Sequence, residues 1–240
     1  METPTGDYYG GHRPGDNLFT SSLVALDFRT GKYRWHFQEV RHDIWDLDVC
    51  APPNLVTIRR EGREVDAVVG MAKSGHLTLL DRLSGRPVFP WRLRRAPVST
   101  LPGEVTATYQ PDPELPEPVS RMEFHPDMIT DRTPEAREFV KQVVAKSTYG
   151  FFQPFTEGVP NLFIGSRGGA EWSGGAIDVR TETEELTASW FGWPVRTFEA
   201  AVKPGALGWG WAMFAYKGWL RLSWLDENVL SQVVPDELFY

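Results

Sequence analysis

The sequence predicts an all-β chain of repeated hairpin units, arranged as in a β-propeller, with a single helical excursion. Three observations carry this. The turn pattern Asp-x-x-(Ser/Thr)-Gly-(Lys/Arg) occurs at Asp27 to Lys32 and again at Asp81 to Arg86, 54 positions later. Short runs rich in β-branched and aromatic residues flank both copies. One stretch, Thr133 to Lys146, places apolar residues at helical spacing behind a capping signal.

Taken in order, Met1 to Asn17 is rich in Gly, Pro, Tyr and Asp and reads as a loop. Leu18 to Leu26 is strand-like. In the turn that follows, Asp27 can accept from backbone N–H groups and Gly31 can take positive φ, so Tyr33 to Gln38 returns as the second strand of a hairpin. The grammar recurs with Val65 to Gly70 and His76 to Leu80 around Lys73-Ser74-Gly75, and Ile177 to Thr181 opens a third copy without its glycine. Repeats at about 40 to 50 residues fit four-stranded propeller blades, with a β-sandwich of similar hairpins as the alternative.

Between the second and third copies the pattern stops. Ala96 to Pro118 is rich in proline and acid, the composition of an extended surface excursion. Thr133-Pro134-Glu135 then supplies a cap, a proline at the first helical position and an acid at the positive end of the dipole. Phe139, Val140, Val143 and Val144 fall on one face of that helix and are expected to be core contacts. Ser166 to Gly175 is a glycine-rich loop around Trp172, suited either to an ordinary turn or to close backbone approach to a flat ligand. The chain divides into a repeat-bearing part, 1–180, and an aromatic-rich tail, 181–240, without the repeated turn.

The 240 residues are 41% hydrophobic with a formal charge of −7, enough for a core and the wrong sign for nucleic acid. Cys50 is the single cysteine, which leaves no internal disulfide or thiolate cluster. No apolar run reaches the roughly 18 residues of a membrane span. The opening METPTGDYYGGHRPGD lacks the basic and apolar regions of an export signal, which implies a cytoplasmic chain or a later start than the true one.

The chemistry concentrates in Trp35 to Pro53, WHFQEVRHDIWDLDVCAPP, which gathers Asp43, Asp46, Asp48, His36, His42, Trp35 and Trp45. Carboxylates set among tryptophans are partly desolvated, which suits a general base or a metal ligand. An acidic turn between strands, anchored by its tryptophans, is the competing reading.

The series SLVALD-x-x-TGK-x-x-WHFQ, HDIWDLDV-x-APP, AKSGHLTLLDR-x-SGRP and GG-x-EWSGGAID, preceded by Gly15-Asp16-Asn17, resembles the quinoprotein dehydrogenases that use pyrroloquinoline quinone (PQQ). The resemblance runs from about Tyr8 to Asp178 and implies an eight-bladed propeller of which this chain supplies about three blades. It implies Asp46 as the general base and Lys73 as the donor to the quinone oxygen. Glu171 and Trp172 would border the cofactor, and their pairing is similar to the membrane-bound sugar and polyol branch. Asp46 and Asp48 would face a divalent cation, calcium or magnesium. A lanthanide is a further option, because Asp48 sits where lanthanide-using members carry an extra ligand. His42 is expected to orient the loop.

By the same resemblance the substrate is an alcohol, polyol or sugar, the electron acceptor a quinone or cytochrome, and the location periplasmic or facing the periplasm on the inner membrane. Family members are more than twice this length, and their remaining cofactor-binding residues match no part of this chain. An internal fragment, inactive alone unless another chain supplies the missing blades, is therefore the expectation, with the tail frameshifted or unrelated. A non-catalytic β-propeller serving as a binding scaffold is the alternative.

Overall fold

Strand β1 (Ser22–Leu26) pairs antiparallel with β2 (Tyr33–Gln38), and the turn between them is held by the carboxylate of Asp27. Its Oδ1 accepts from Thr30 N at 2.9 Å and Thr30 Oγ1 at 2.8 Å, while Gly31 N donates to Asp27 O at 2.8 Å. The second copy repeats this atom for atom. Asp81 Oδ1 accepts from Ser84 N and Ser84 Oγ, both at 2.7 Å, and Gly85 N donates to Asp81 O at 2.8 Å. Gly31 and Gly85 sit at φ 68° and 70°, where only glycine is unstrained. These hydrogen bonds hold Asp27 at about 2, led by Arg34 and then Thr30.

The computed structural model describes residues 1–178, 183–188 and 192–196, apart from 5, 7, 120–122 and 165–169. β3 (Asn54–Arg60), β4 (Arg63–Met71) and β5 (Leu77–Asp81) form a three-stranded antiparallel sheet in that order, and β6 (Trp91–Arg95) pairs with β7 (Tyr109–Pro113). After helix α1 (Pro134–Val144), the short β8 (Thr148–Tyr149) runs parallel to β9 (Pro160–Ile164), which pairs on its other side with β12 (Gly192–Arg196). β10 (Ala170–Asp178) pairs with β11 (Thr183–Ala188), and Asn54 Nδ2 ties β3 to Gly175 O of β10 at 2.9 Å. Among the described residues the architecture is all-β with one α-helix, in small sheets that do not close into a ring.

Four expectations need correction. The first strand begins at Ser22, because Asn17 and Ser21 take left-handed backbone (φ 57° and 44°) and turn the preceding segment. Part of the glycine-rich loop is strand, since β10 starts at Ala170. The rest of that loop, the end of the third turn and most of the tail lie outside the described residues. Ala96–Pro118 is no simple surface excursion: Ala96, Leu101, Glu104, Thr106 and Gln110 are buried. Helix α1 is capped as expected, Thr133 Oγ1 accepting from Ala136 N at 3.1 Å, yet only Ala136 is buried and Phe139 is 36% exposed. No described strand packs broadly on its apolar face.

Two clusters make the principal core. Leu23, Phe37, Val49, Val68, Ala72 and Leu80 join the first hairpin to the central sheet. The other gathers Val40, Ile44, Trp45 and Leu47 against Leu101, Phe151, Phe152 and Phe155. The segment after β2 contributes to both, so it is wedged into the interior. Trp35 links the two turn copies, its Nε1 donating to Arg82 O at 3.1 Å and its ring lying on Gly85.

A Cβ at Gly85 would come within 2.5 Å of the Trp35 ring. We expect Gly85→Ala to cost more than about 1 kcal/mol, from positive φ and from this collision together. Gly31→Ala, which meets nothing within 4 Å, should show the backbone part alone. Equal losses for the two in denaturant unfolding would refute the Trp35 contact.

Candidate active site

From residue 39 to 53 the chain forms no strand, yet Val40, His42, Asp43, Ile44, Trp45, Leu47, Asp48, Val49 and Ala51 are buried. A buried irregular segment must find partners for its backbone groups. Asp43, fully buried, supplies several. Its Oδ1 accepts from Trp45 N at 2.9 Å, and its Oδ2 from Leu47 N at 3.0 Å, Ser21 Oγ at 2.8 Å and Thr3 Oγ1 at 2.8 Å. Burial pushes the Asp43 carboxyl upward against these hydrogen bonds, and the nearby charge of Asp48 adds to the rise. The Trp45 indole donates to Gln153 O at 2.9 Å and meets Phe152 edge-on.

His42 is fixed at both ring nitrogens. Nδ1 lies 2.7 Å from Gly15 O and Nε2 2.6 Å from Glu104 Oε1. The partners are a backbone carbonyl and a carboxylate, so the ring is held in one orientation from both sides. Glu104 Oε2 also accepts from Gly10 N at 2.5 Å, and a side chain at Gly10 would collide with the His42 ring. Burial opposes ionisation of Glu104, but His42 and the Gly10 amide outweigh it and hold the carboxyl low. On the other flank, Gln110 accepts from Arg41 N at 2.8 Å and donates to Arg41 O at 2.7 Å. Glu104 and Gln110 thus serve the site from within the proline-rich stretch.

This scaffold presents Asp46 and Asp48. Asp46 takes left-handed backbone at φ 60° and remains partly exposed, while Asp48 is buried. Lys73, in the turn between β4 and β5, reaches both: Nζ lies 3.1 Å from Asp46 Oδ2 and 2.7 Å from Asp48 Oδ2. Lys73 N also donates to Asp48 O at 2.9 Å. Burial alone would lower the Lys73 ammonium, but the two carboxylates carry it well above its ordinary value. Asp48 opposes its own burial with hydrogen bonds from Lys73 and Thr3 and is held below the usual range. Asp46, Asp48 and Lys73, separated in sequence, therefore form one cluster.

His36 stands apart from it, bonded to the Tyr33 hydroxyl at 2.8 Å beside Phe19. Glu171 and Trp172 lie in β10, and their side chains are outside the described residues. Asp46 and Asp48 offer hard oxygen donors suited to calcium or magnesium. No third His, Cys, Asp or Glu joins them in a metal-binding group among the described residues.

The family model "PQQ: Glucose/ethanol/alcohol dehydrogenase, beta-propeller domain" matches residues 1–197. The chain belongs to this family. It is thus a β-propeller chain of the PQQ-dependent alcohol and sugar dehydrogenases. It is 31% identical over 190 residues to quinoprotein glucose dehydrogenase of Escherichia coli (strain K12), covering 76% of this chain and 23% of that protein. With the glycerol dehydrogenase large subunit of Gluconobacter oxydans (strain 621H) it shares 30% over 208 residues, 78% of this chain and 26% of that one. The chain spans about a quarter of the length of these relatives. A europium-containing methanol dehydrogenase shares the fold, with a TM-score of 0.52 at 18% identity over 82% of this chain and 28% of that one.

Glu104 and Asp48 are both held low. Their contribution to stability is therefore present above the ordinary carboxylate range, near 4 to 4.5, and lost as pH falls through their folded values. Asp43, held high, acts in the opposite sense. We expect Glu104→Gln to cost about 2 to 3 kcal/mol at neutral pH, because one of the two buried oxygens that accept from His42 and the Gly10 amide becomes a donor, and to flatten the acid limb of thermal stability between pH 7 and 3. An acid limb unchanged in the variant would rule out the pair as its source.

Proposed function

We propose that this chain carries the proton-accepting side of a PQQ-dependent dehydrogenase site that oxidises an alcohol, polyol or sugar. The observation that carries the reading is the Asp46–Lys73–Asp48 cluster at the end of a rigid buried loop, in a chain of this family. Asp46 is the general base. Its carboxylate is partly exposed, lies 3.1 Å from the Lys73 ammonium, and can accept the proton of a substrate hydroxyl. Lys73, charged and anchored by Asp48, is the donor to an oxygen on which negative charge develops.

The residues fit the family's cofactor pair in part. PQQ, when bound, supplies the hydride acceptor, and a divalent cation beside it the Lewis acid. Lys73 would face the quinone, with Glu171 and Trp172 assigned to its border by sequence, and Asp46 and Asp48 would contribute oxygens to the cation. Calcium or magnesium suits such donors. The europium named for a structural neighbour keeps a lanthanide open, with Asp48 as the extra ligand. Two carboxylates do not enclose a cation, so turnover requires further ligands from outside the described residues. A quinone or cytochrome takes the electrons onward, in the periplasm or on its face of the inner membrane.

A titration of the chain with PQQ and Ca²⁺ tests this, with quinone absorbance reporting binding and dye-linked oxidation of glucose, glycerol and ethanol reporting turnover. We expect metal-dependent quinone binding that Lys73→Met weakens about tenfold or more, the scale of one lost charged hydrogen bond. Where supplying the remaining blades restores turnover, Asp46→Asn should reduce it about 10²- to 10⁴-fold while binding persists. No quinone binding with calcium, magnesium or lanthanum would favour the non-catalytic scaffold.

A further inference from the structure

Glu39, the first residue after β2, is 1% exposed, and neither of its carboxylate oxygens has a hydrogen-bond partner. The basic group facing it is His76, itself buried, whose Nδ1 stands 3.6 Å from Glu39 Oε2. That is beyond a direct hydrogen bond. Thr78 is also buried, with an unpartnered hydroxyl. Strand alternation puts His76, Thr78 and Leu80 on one face. Leu80 packs in the same cluster as Phe37, two residues before Glu39, and Thr78 lines a narrow crevice with Phe37. Glu39 and His76 therefore face one another in the seam between the end of β2 and the start of β5, and the unpartnered Thr78 hydroxyl follows His76 by two residues.

A lone buried carboxylate costs several kcal/mol or gives up its charge. Here the compensation is at hand. A polar gap just over 3.5 Å is the separation that an off-axis water bridges, and a buried water takes about three hydrogen bonds, the number that Glu39, His76 and Thr78 offer. We propose that these three side chains bind one ordered water and that this bridge clips the lysine turn to the aspartate loop.

The connections on each side give the clip its consequence. Glu39 N donates to Ser21 O at 2.9 Å, and the Ser21 hydroxyl donates to Asp43, which orders the loop carrying Asp46. On the other side, His76 closes the turn that begins at Lys73: Ala72 N donates to His76 O, and His76 N to the Ser74 hydroxyl, both at 3.3 Å. Glu39 and His76 touch neither Asp46 nor Lys73, so they are positioning residues. Their functional meaning rests on the reading of Asp46 and Lys73 above. The bridge itself does not.

The test is a double-mutant cycle in the full chain with Glu39→Gln, His76→Asn and both, read by denaturant unfolding, together with the ¹⁵N resonance of the Lys73 ammonium. Each single change should lower the folding equilibrium constant about tenfold, and the double should cost little more than either single. The Lys73 resonance, sharp in the parent because two carboxylates hold it, should broaden in both singles and in Thr78→Val. Additive losses, or an unaltered Lys73 resonance in folded single variants, would overturn the proposal. Should a single variant not fold, the parent still decides: a bridged His76 shows a slowly exchanging ring N–H with a cross-peak to bound water, and a ring proton lost to bulk exchange sinks the idea. None of these readouts requires quinone or turnover, so failure here is separable from failure of the proposed activity.

Discussion

Four hydrogen bonds converge on the carboxylate of Asp43, from the amino-terminal segment (Thr3), from the residue before β1 (Ser21) and from its own loop (Trp45 and Leu47). The loop depends on them, because a buried stretch without a strand ladder has to satisfy its N–H groups by side chains. Apolar contacts alone would hold Ile44, Trp45 and Leu47 in place, but they would not select one backbone path. Directional acceptors do. The carboxylate is costly where it sits, as its upward shift shows, and that cost is the counterpart of fixing the residues on either side of Asp46.

Charge is arranged around this centre in two separate balances. His42 and Glu104 hydrogen-bond one another in the interior, each with its remaining hydrogen-bonding capacity directed to backbone at Gly15 and Gly10. Nearer the surface, Lys73 is shared between Asp46 and Asp48, one ammonium against two carboxylates. The two pairings differ in their access to solvent. The difference is visible in burial: His42 and Glu104 are closed to solvent, whereas the Asp46 side chain retains 23% of its accessible surface.

Legibility in the sequence tracked the range of the interaction. The repeated turn could be read because Asp27 with Thr30 and Asp81 with Ser84 bond across three residues, so the motif contains its own cause. The cap at Thr133 is equally local. The pairing of Asp46 with Lys73 spans 27 positions and has no spacing rule behind it; resemblance to a family named both residues but not their contact. Glu104 and Gln110 were missed because their partners lie 62 and 69 positions away and because proline-rich composition argues for surface. A local signal was present in hindsight: an isolated Glu followed by alternating threonines, Glu104-Val105-Thr106-Ala107-Thr108, leads directly into β7. The apolar face of α1 misled in the other direction, since periodicity reports which face is apolar and not whether anything covers it.

Irregular backbone is what this site requires. A strand would project Asp46 and Asp48 to the same face at a fixed spacing, with Leu47 opposite. The observed loop instead breaks that spacing, with His42 at φ 48° and Asp46 at φ 60°. Histidine and aspartate are among the few non-glycine residues that enter the left-handed region at modest cost. These turns let His42 point inward to Glu104 while Asp46 stays accessible and within reach of Lys73. Such a conformation survives only where the surroundings over-determine it. Asp43 on the inner side, Gln110 clamping Arg41 at the loop's entry and the Trp45 indole bound to Gln153 supply that excess of constraint. Constraint at those three points holds the loop in one path while the Asp46 side chain stays partly exposed beside Lys73.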